Sequence, residues 1–270
     1  SSLPEGGEVT IENAFNGAST NLSKMFNRSG VDRVFLQDVG KGANANLSNL
    51  FDGATALSKL DLVRVGTGSG ANLNNMLQYV ATGVPIAADA NEVRQVNTSY
   101  DAEGKVVVSI NFEDVGTGGA DLSRVAYRAF TRAEDSTAAE ISPLSTFSWL
   151  SSNYAQAKPA TSLERAFGTA VEGEFSYMPT YDLRGLPVSA NLGYLFYGAA
   201  LPTKVGLEAD APAAYAIALP EGYDFANVTS APSMFAQMPA LETATIEGIS
   251  TNAKGIDISY AFAGDTNLKE

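Results

Sequence analysis

The chain of 270 residues contains no cysteine and no histidine. These absences exclude disulfide frameworks, thiolate zinc sites, cysteine nucleophiles and every catalytic or metal site that requires an imidazole. Positive charge is also scarce, because 17 Lys and Arg stand against 30 Asp and Glu, which gives a formal net charge of −13. An acidic surface repels phosphate backbones and anionic lipid headgroups, so we expect no nucleic-acid partner.

Long hydrophobic runs are missing as well. No apolar run in the sequence approaches the roughly 18 residues that a membrane-spanning helix requires, so we expect no membrane-spanning segment. Hydrophobic residues nevertheless make up 45% of the chain and charged residues only 17%, which is enough apolar material for a core. The length allows one large domain or two ordinary ones, and the repeats described below favour a single domain over residues 1–270, which we expect to be monomeric.

Glycine is frequent, and short phrases built around it recur. Such recurrence indicates internal repeats, which have to be identified before any helix or strand is predicted. The phrases that align are Asp38-Val-Gly-Lys-Gly, Arg64-Val-Gly-Thr-Gly and Asp114-Val-Gly-Thr-Gly.

The apolar residues between these phrases repeat more strictly, with the spacing L-x-x-L-x-L-x-x-L. The middle two positions of this template share one face of a strand, since alternate residues point the same way. The copies are Val31, Val34, Leu36 and Val39; Leu57, Leu60, Leu62 and Val65; Val107, Ile110, Phe112 and Val115; Met178, Tyr181, Leu183 and Leu186; and Leu241, Ala244, Ile246 and Ile249. A weaker copy lies at Ala214, Ile217 and Leu219.

A recurrent Phe precedes several copies of this template. It is often followed shortly by Gly, as in Phe51-Asp-Gly and Phe196-Tyr-Gly. Segments such as Asn46–Phe51 and Thr161–Phe167 have a leading polar residue and apolar residues three or four positions apart, which predicts a short helix. Each unit of about 25 residues therefore predicts a short helix, a glycine turn, a short parallel strand and a loop. Stacked units of this kind form an α/β solenoid.

The repeats are not uniform along the chain. The pattern is blurred at about 79–104, where Val84-Pro-Ile-Ala87 is a possible remnant of one copy, and at about 131–160 and 208–226. In the second of these ranges Leu144, Phe147 and Trp149 fit the template only loosely. We interpret these ranges as irregular insertions, and residues 1–13 as an N-terminal cap or coil.

Some units resemble the BspA-like leucine-rich repeat of bacterial surface proteins. The residues that carry this resemblance are Asn227-Val-Thr229, Met234-Phe235, Leu50-Phe51-Asp-Gly53 and Leu57-Ser-Lys-Leu-Asp-Leu62. The sequence departs from the family where Cys often follows the Gly, since the equivalent residues here are Ala18, Ala54, Ala199 and Asp265.

The resemblance implies a leucine-rich-repeat solenoid from an extracellular protein on the bacterial cell surface. It also implies adhesion to a host matrix protein, a host cell or a glycan. Because the chain stops at Leu268-Lys-Glu270, where another strand is due, we expect the array to be truncated there.

If the strands line an open face, the residues between their buried positions point outward and form the candidate ligand-binding surface. Mixed aromatic, cationic and polar groups suit recognition of a protein or a glycan. These residues are Arg33, Phe35, Lys59, Asp61, Ser109, Asn111, Thr180, Asp182, Thr243 and Thr245.

Other motifs give weaker signals. Asp89-Ala-Asn-Glu92 and Asp101-Ala-Glu103 cluster oxygen ligands and suit calcium, but neither is an EF-hand loop, so we predict no cofactor and no metal site. Gly66-Thr-Gly-Ser-Gly70 lacks the Gly-Lys-Ser/Thr ending of a phosphate loop and is interpreted as a turn between units.

The sequence is compatible with three functions. Repetition without concentrated chemistry favours a non-enzymatic adhesion module with no catalytic residues. The first alternative is a structural stalk that displays another adhesive domain. The second is a β-solenoid enzyme that cleaves acidic polysaccharide with paired carboxylates.

Overall fold

The computed structural model describes residues 7–80, 99–133, 141–142, 144–168, 174–176, 180–199, 204–206, 217–218, 223, 225–238, 241, 243–245 and 255–269. Strands are the dominant regular element. They are β1 Gly7–Glu12, β2 Val31–Gln37, β3 Lys59–Val63, β4 Ser99–Tyr100, β5 Val106–Val107, β6 Ser109–Glu113, β7 Thr131–Ala133, β8 Thr146–Leu150, β9 Glu174–Ser176, β10 Thr180–Asp182, β11 Lys204–Gly206, β12 Ile217–Ala218 and β13 Thr243–Thr245.

The main sheet has seven strands in the order β1-β2-β3-β6-β8-β10-β12. Every neighbouring pair in it is parallel. The sheet is open, and β11 and β13 form a separate parallel pair. The described chain thus has a parallel-strand sheet with almost no helix, which is compatible with a solenoid.

The strands form because their residues alternate between core and surface. In β3 the apolar Leu60 and Leu62 are buried while Lys59 and Asp61 are exposed or half-buried, and β6 repeats the pattern. The register places Leu60 beside Val34 on one side and Ile110 on the other. The apolar template of the sequence therefore becomes continuous rows of core side chains across the sheet.

A second parallel ladder lies away from the sheet. It is formed by turn segments, one after each strand of the main sheet and one after β13, in which backbone N–H groups of one segment donate to carbonyl groups of the next. The turn segments are residues 22–29, 47–54, 73–80, 122–129, 163–168, 192–199, 231–238 and 258–265. Consecutive units are therefore stacked in parallel at two places, the strand and the turn segment.

A polar side chain precedes most turn segments and fixes the residue at which each segment begins. The Oδ1 atoms of Asn46 and Asn72 accept the backbone N–H two residues on, at 3.1 and 3.0 Å, and Asp121 accepts in the same way. These residues also form bridges to one another, Asn46 to Asn72 and Asn72 to Asp121. Ser230 occupies the equivalent position before Pro232, which has no N–H to donate.

The predicted helix in each unit is wrong. The described residues contain no α-helix and only two 3₁₀ helices, Tyr154–Gln156 and Phe225–Asn227. In the segment predicted as helical, the N–H groups of Leu47 and Phe51 donate to the next unit, at 2.7 and 2.9 Å, rather than along their own segment. Asn49 lies between them in the left-handed region, with φ of 54°, which an α-helix does not admit.

Aromatic side chains stack along the core beneath the turn segments. Phe26 lies on Phe51 with the ring centroids 5.2 Å apart, and Phe167 lies on Phe196 at 5.3 Å. The second stack continues from Phe196 to Phe235 at 5.8 Å and from Phe235 to Phe262 at 5.6 Å. The recurrent Phe of the sequence repeat is therefore a stacking position, and each ring covers the one in the preceding unit.

The range 131–160, interpreted as an irregular insertion, contains a strand of the main sheet. Within it β8 pairs Phe147 with Ile110 and Trp149 with Phe112. Both aromatic side chains are fully buried. Aromatic residues therefore fill core positions here, as Phe112 and Tyr181 do in the two neighbouring strands.

The glycine phrases are needed where the backbones of adjacent units touch. A Cβ atom on Gly42 would lie 2.1 Å from the carbonyl oxygen of Gly17, and one on Gly68 would lie 2.1 Å from that of Gly42. No side chain fits at such a distance, so the repeat of glycine at these positions is a packing requirement.

We predict that Gly42→Ala lowers the free energy of unfolding by about 2 kcal/mol, because the new methyl group forces two backbones apart. Gly17→Ala is the matched control, since a Cβ there would lie 3.4 Å from its nearest neighbour, Thr20 Oγ1, and should change stability by under about 0.5 kcal/mol. Urea denaturation of both variants checks this. Equal destabilisation would contradict the stacked-backbone explanation.

Candidate functional site

The exposed side of the main sheet carries the predicted surface residues in two straight columns. We call this surface the sheet face and define it by both columns. The first column runs Arg33, Lys59, Ser109, Thr146 and Thr180, and the second runs Phe35, Asp61, Asn111, Ser148 and Asp182. Their side chains are half-buried or exposed.

Eight of the ten predicted residues therefore belong to the sheet face. Thr243 and Thr245 do not, because they lie on β13, where they pair with Lys204 and Gly206 of β11 in the separate sheet. Thr146 and Ser148 were missed, since β8 lies in a range that the pattern marked as irregular. The alternation of Thr146 and Ser148 with Phe147 and Trp149 was the signal that could have found them.

Polar contacts join adjacent strands in the centre of the sheet face. The Nδ2 atom of Asn111 donates to Asp61 Oδ1 at 2.7 Å and to Ser109 Oγ at 3.2 Å. Lys59 Nζ lies 3.6 Å from the other oxygen of Asp61. Because Lys59 is exposed, this ion pair contributes little stability, and its groups remain available to a ligand.

Arg184, just beyond β10, closes one end of the second column. Its Nε and Nη2 atoms donate to the two carboxylate oxygens of Asp182 at 2.9 and 2.7 Å. These bonds hold the pKa of the Asp182 carboxyl below its ordinary value. Asp182 is therefore ionised at neutral pH, and the sheet face presents a fixed ion pair there instead of a proton donor.

A ladder of charged residues lies at the edge of the sheet where the strands end. The N–H of Asp38 donates to the carbonyl of Val63, that of Arg64 to Glu113, and that of Asp114 to the carbonyl that ends β8. Asp38, Arg64 and Asp114 therefore occupy equivalent positions in successive units. We call them the corner residues.

The corner residues form strong charge-assisted contacts. The carboxylate of Asp38 accepts Arg64 Nε and Nη2 at 2.9 and 2.6 Å and Lys41 Nζ at 2.9 Å. The bonds from Arg64, and then that from Lys41, hold the pKa of the Asp38 carboxyl well below its usual range. Burial raises the pKa of Asp114, but hydrogen bonds from Ser152 and Ser151 outweigh it and lower the pKa overall.

Two of the corner residues line a polar cleft of about 310 Å³. The cleft adjoins the carboxyl ends of β3 and β6, beside the sheet face. Its lining residues are Arg64, Thr67, Asp114, Thr117, Asn153, Gln156 and Ala157. The mixture of guanidinium, carboxylate, amide and hydroxyl groups can hydrogen-bond a polar ligand.

The corner residues are not among the site residues predicted from the sequence. Asp38, Arg64 and Asp114 nevertheless begin the three aligned glycine phrases, so the alignment already placed them in one column. The alternation of acidic, basic and acidic residues down that column was the available signal for the ion pair.

The structure describes only one of the two sequence segments that suit calcium. Asp89-Ala-Asn-Glu92 lies outside the described residues. Asp101 Oδ1 accepts the N–H groups of Glu103 and Lys105 at 3.1 and 2.8 Å, so this carboxylate shapes a turn. The part of the chain that the structure describes holds no cluster of three or more His, Cys, Asp or Glu residues that suits a metal ion.

Comparisons with protein-family models, with curated proteins and with solved structures find no match to this chain. Within the described ranges, none of the helices has the length and apolar character needed to cross a membrane.

The lowered pKa of Asp38 predicts a specific acid sensitivity. In the unfolded chain this carboxyl titrates near its ordinary value of 3.8, whereas in the folded protein its pKa is lower. The stability that this difference contributes is present at neutral pH and is lost as the pH falls below about 4. Urea denaturation between pH 6 and about pH 2.5 should therefore show a steeper fall for the wild type than for Asp38→Asn.

Arg64→Gln should flatten the profile in the same way, because it removes the largest cause of the pKa shift while leaving Asp38 in place. Parallel profiles for the wild type and both variants would show that the corner ion pair does not contribute to folding stability.

Proposed function

We propose that the protein is a non-enzymatic adhesion module on the bacterial cell surface, which binds a host extracellular protein or glycan through the sheet face. The observation that carries the proposal is the alignment of the two columns of the sheet face. Charged, polar and aromatic side chains stand in register across five adjacent strands, from Arg33 and Phe35 to Thr180 and Asp182.

We also propose that the fold is a leucine-rich-repeat solenoid of the BspA-like kind. Parallel stacking of units at both the strands and the turn segments supports a solenoid. Leu60, Leu62 and Phe51, which carry the sequence resemblance, are fully buried and so occupy the positions that such a repeat requires. The turn segments stand where the helix was predicted.

The chemistry of the sheet face favours binding. Half-buried polar groups that already contact one another, such as Asp61 and Asn111, form a preorganised surface. Phe35 is half-buried in the second column between Thr10 and Asp61, and an aromatic side chain in that position is a typical anchor for a protein partner.

Asp182 of the sheet face and the corner residues Asp38 and Asp114 are poorly suited to acid catalysis. Glycosidase chemistry requires one carboxyl group with a raised pKa beside a second carboxylate. The pKa values of Asp38, Asp114 and Asp182 are all lowered. The polysaccharide-cleaving alternative is therefore less favoured than binding.

The stalk alternative has one observation in its favour. The stack from Phe167 through Phe196 and Phe235 to Phe262 is continuous across four units, which stiffens the array along its axis. The two functions differ in one testable respect. Ligand binding by an adhesive face depends on the side chains of the sheet face, whereas the function of a stalk does not.

We predict saturable binding to at least one member of a panel of purified extracellular-matrix proteins and mammalian glycans. The double variant Arg33→Gln/Lys59→Gln should lower that affinity about tenfold, because it removes both positive charges of the first column from the proposed contact. Surface plasmon resonance measures the affinities.

The matched control is Lys24→Gln/Arg28→Gln, which removes the same charge from exposed positions on a turn segment. It should bind as the wild type does. An absence of any saturable ligand would contradict the adhesion proposal, and equal losses in both variants would show that net charge alone determines binding.

A further inference from the structure

The turn segments carry a group of arginine and tyrosine side chains that the proposed function does not use. Arg128 lies over the ring of Tyr79 with the guanidinium carbon 4.5 Å from the ring centroid, and Arg165 lies over Tyr194 at 4.7 Å. Tyr194 in turn packs edge-on against Tyr197 at 5.5 Å. Together with Arg124, these residues form what we call the arginine–tyrosine strip.

The strip extends across adjacent units. The N–H of Arg124 donates to the carbonyl of Glu164 at 2.8 Å, and that of Arg165 donates to Gly193 at 2.9 Å, so Arg124, Arg165 and Tyr194 are equivalent positions in three successive units. All three have φ between 54° and 57°. Neighbouring backbones in such a ladder are about 4.8 Å apart, so the cations follow one another along the stacking direction.

The charge of the strip is opposite to that of the whole protein. It contains three guanidinium groups, and one of them, that of Arg165, has Glu164 beside it, with 4.0 Å between Arg165 Nε and Glu164 Oε1. The chain as a whole has a net charge of −13. Neighbouring guanidinium groups on an acidic protein give an anionic ligand a defined place to bind.

The tyrosine rings fix the guanidinium groups. A guanidinium held over an aromatic face by a cation–π contact loses little conformational entropy when its outer edge binds a carboxylate. Arg165 remains partly exposed, with 35% of its side chain accessible, and Arg124 is exposed. Arg124 and Arg165 are thus preorganised, partly accessible bidentate donors in adjacent units.

Recognition at this surface must use side chains. The N–H groups of Arg124, Arg128 and Arg165 already donate to the next unit, at 2.8, 3.0 and 2.9 Å. A peptide that bound as an added strand would need such groups free. An extended polymer with an anionic group on each monomer requires only the row of guanidiniums, and its sugar rings can pack on the tyrosine rings.

We propose that the arginine–tyrosine strip binds an anionic polysaccharide, one with a carboxylate on successive sugars. This site is separate from the sheet face and does not depend on the adhesion proposed there. A module with both surfaces could hold a polyuronate at the turn segments while the sheet face contacts another partner.

The test measures fluorescence anisotropy of a labelled oligogalacturonate titrated with the protein. We expect saturable binding that weakens with added salt, and none to a neutral maltooligosaccharide of equal length. The variant Arg124→Gln/Arg128→Gln/Arg165→Gln should bind about tenfold more weakly, from roughly 0.5 kcal/mol for each lost charge. The charge-matched control Lys24→Gln/Arg28→Gln/Lys269→Gln, whose three residues are exposed and belong to neither the strip nor the sheet face, should bind as the wild type does.

Circular dichroism and thermal unfolding establish that each variant is folded. The variant with Lys at the same three strip positions should recover part of the affinity, because it restores charge without the planar donor. The proposal is overturned if oligogalacturonate fails to bind, if the control loses as much affinity as the strip variant, or if Lys is no better than Gln. Equal binding of a poly-glutamate peptide would also overturn it, since that result indicates a general anion site.

Discussion

The structure depends on the parallel hydrogen bonding of each unit to the next at two places, the strand and the turn segment. Because both ladders run between units, the main chain of one unit must repeat that of its neighbour. Asn49 and Asn75 adopt the same left-handed conformation for this reason, and each N–H donates to the unit that follows. The glycines at 42 and 68 meet the same requirement where the backbones touch.

The structural features that could be predicted from the sequence are those that individual side chains determine. Alternating apolar residues such as Leu60 and Leu62 specify a strand, and their neighbours specify its outward face, so most of the sheet face could be predicted. The helix could not be predicted correctly, because apolar residues three or four apart also suit a turn segment whose N–H groups point to another unit. That choice depends on contacts between units, which a local pattern does not contain.

Stacking also determines how charge can be distributed. Equivalent side chains in adjacent units are about 4.8 Å apart, and two like charges at about 4 Å repel by about 1 kcal/mol even in water. The corner residues follow the favourable arrangement, since Arg64 stands between Asp38 and Asp114. A net charge calculated for the whole chain does not detect this ordering, because opposite charges in one column cancel.

The arginine–tyrosine strip departs from that arrangement. Arg124 and Arg165 occupy the same position in adjacent units, so two cations stand where alternation would lower the repulsion. Cation–π contacts offset part of this cost, with Arg124 5.8 Å from the ring centroid of Tyr127 and Arg165 4.7 Å from that of Tyr194. Folding alone does not require the pair, since the unit before them has Asn75 at this position and the unit after them has Tyr194. The fold accepts neutral residues at this position, so stability does not explain why two arginines are adjacent there. The proposed ligand, which binds both Arg124 and Arg165, explains it better.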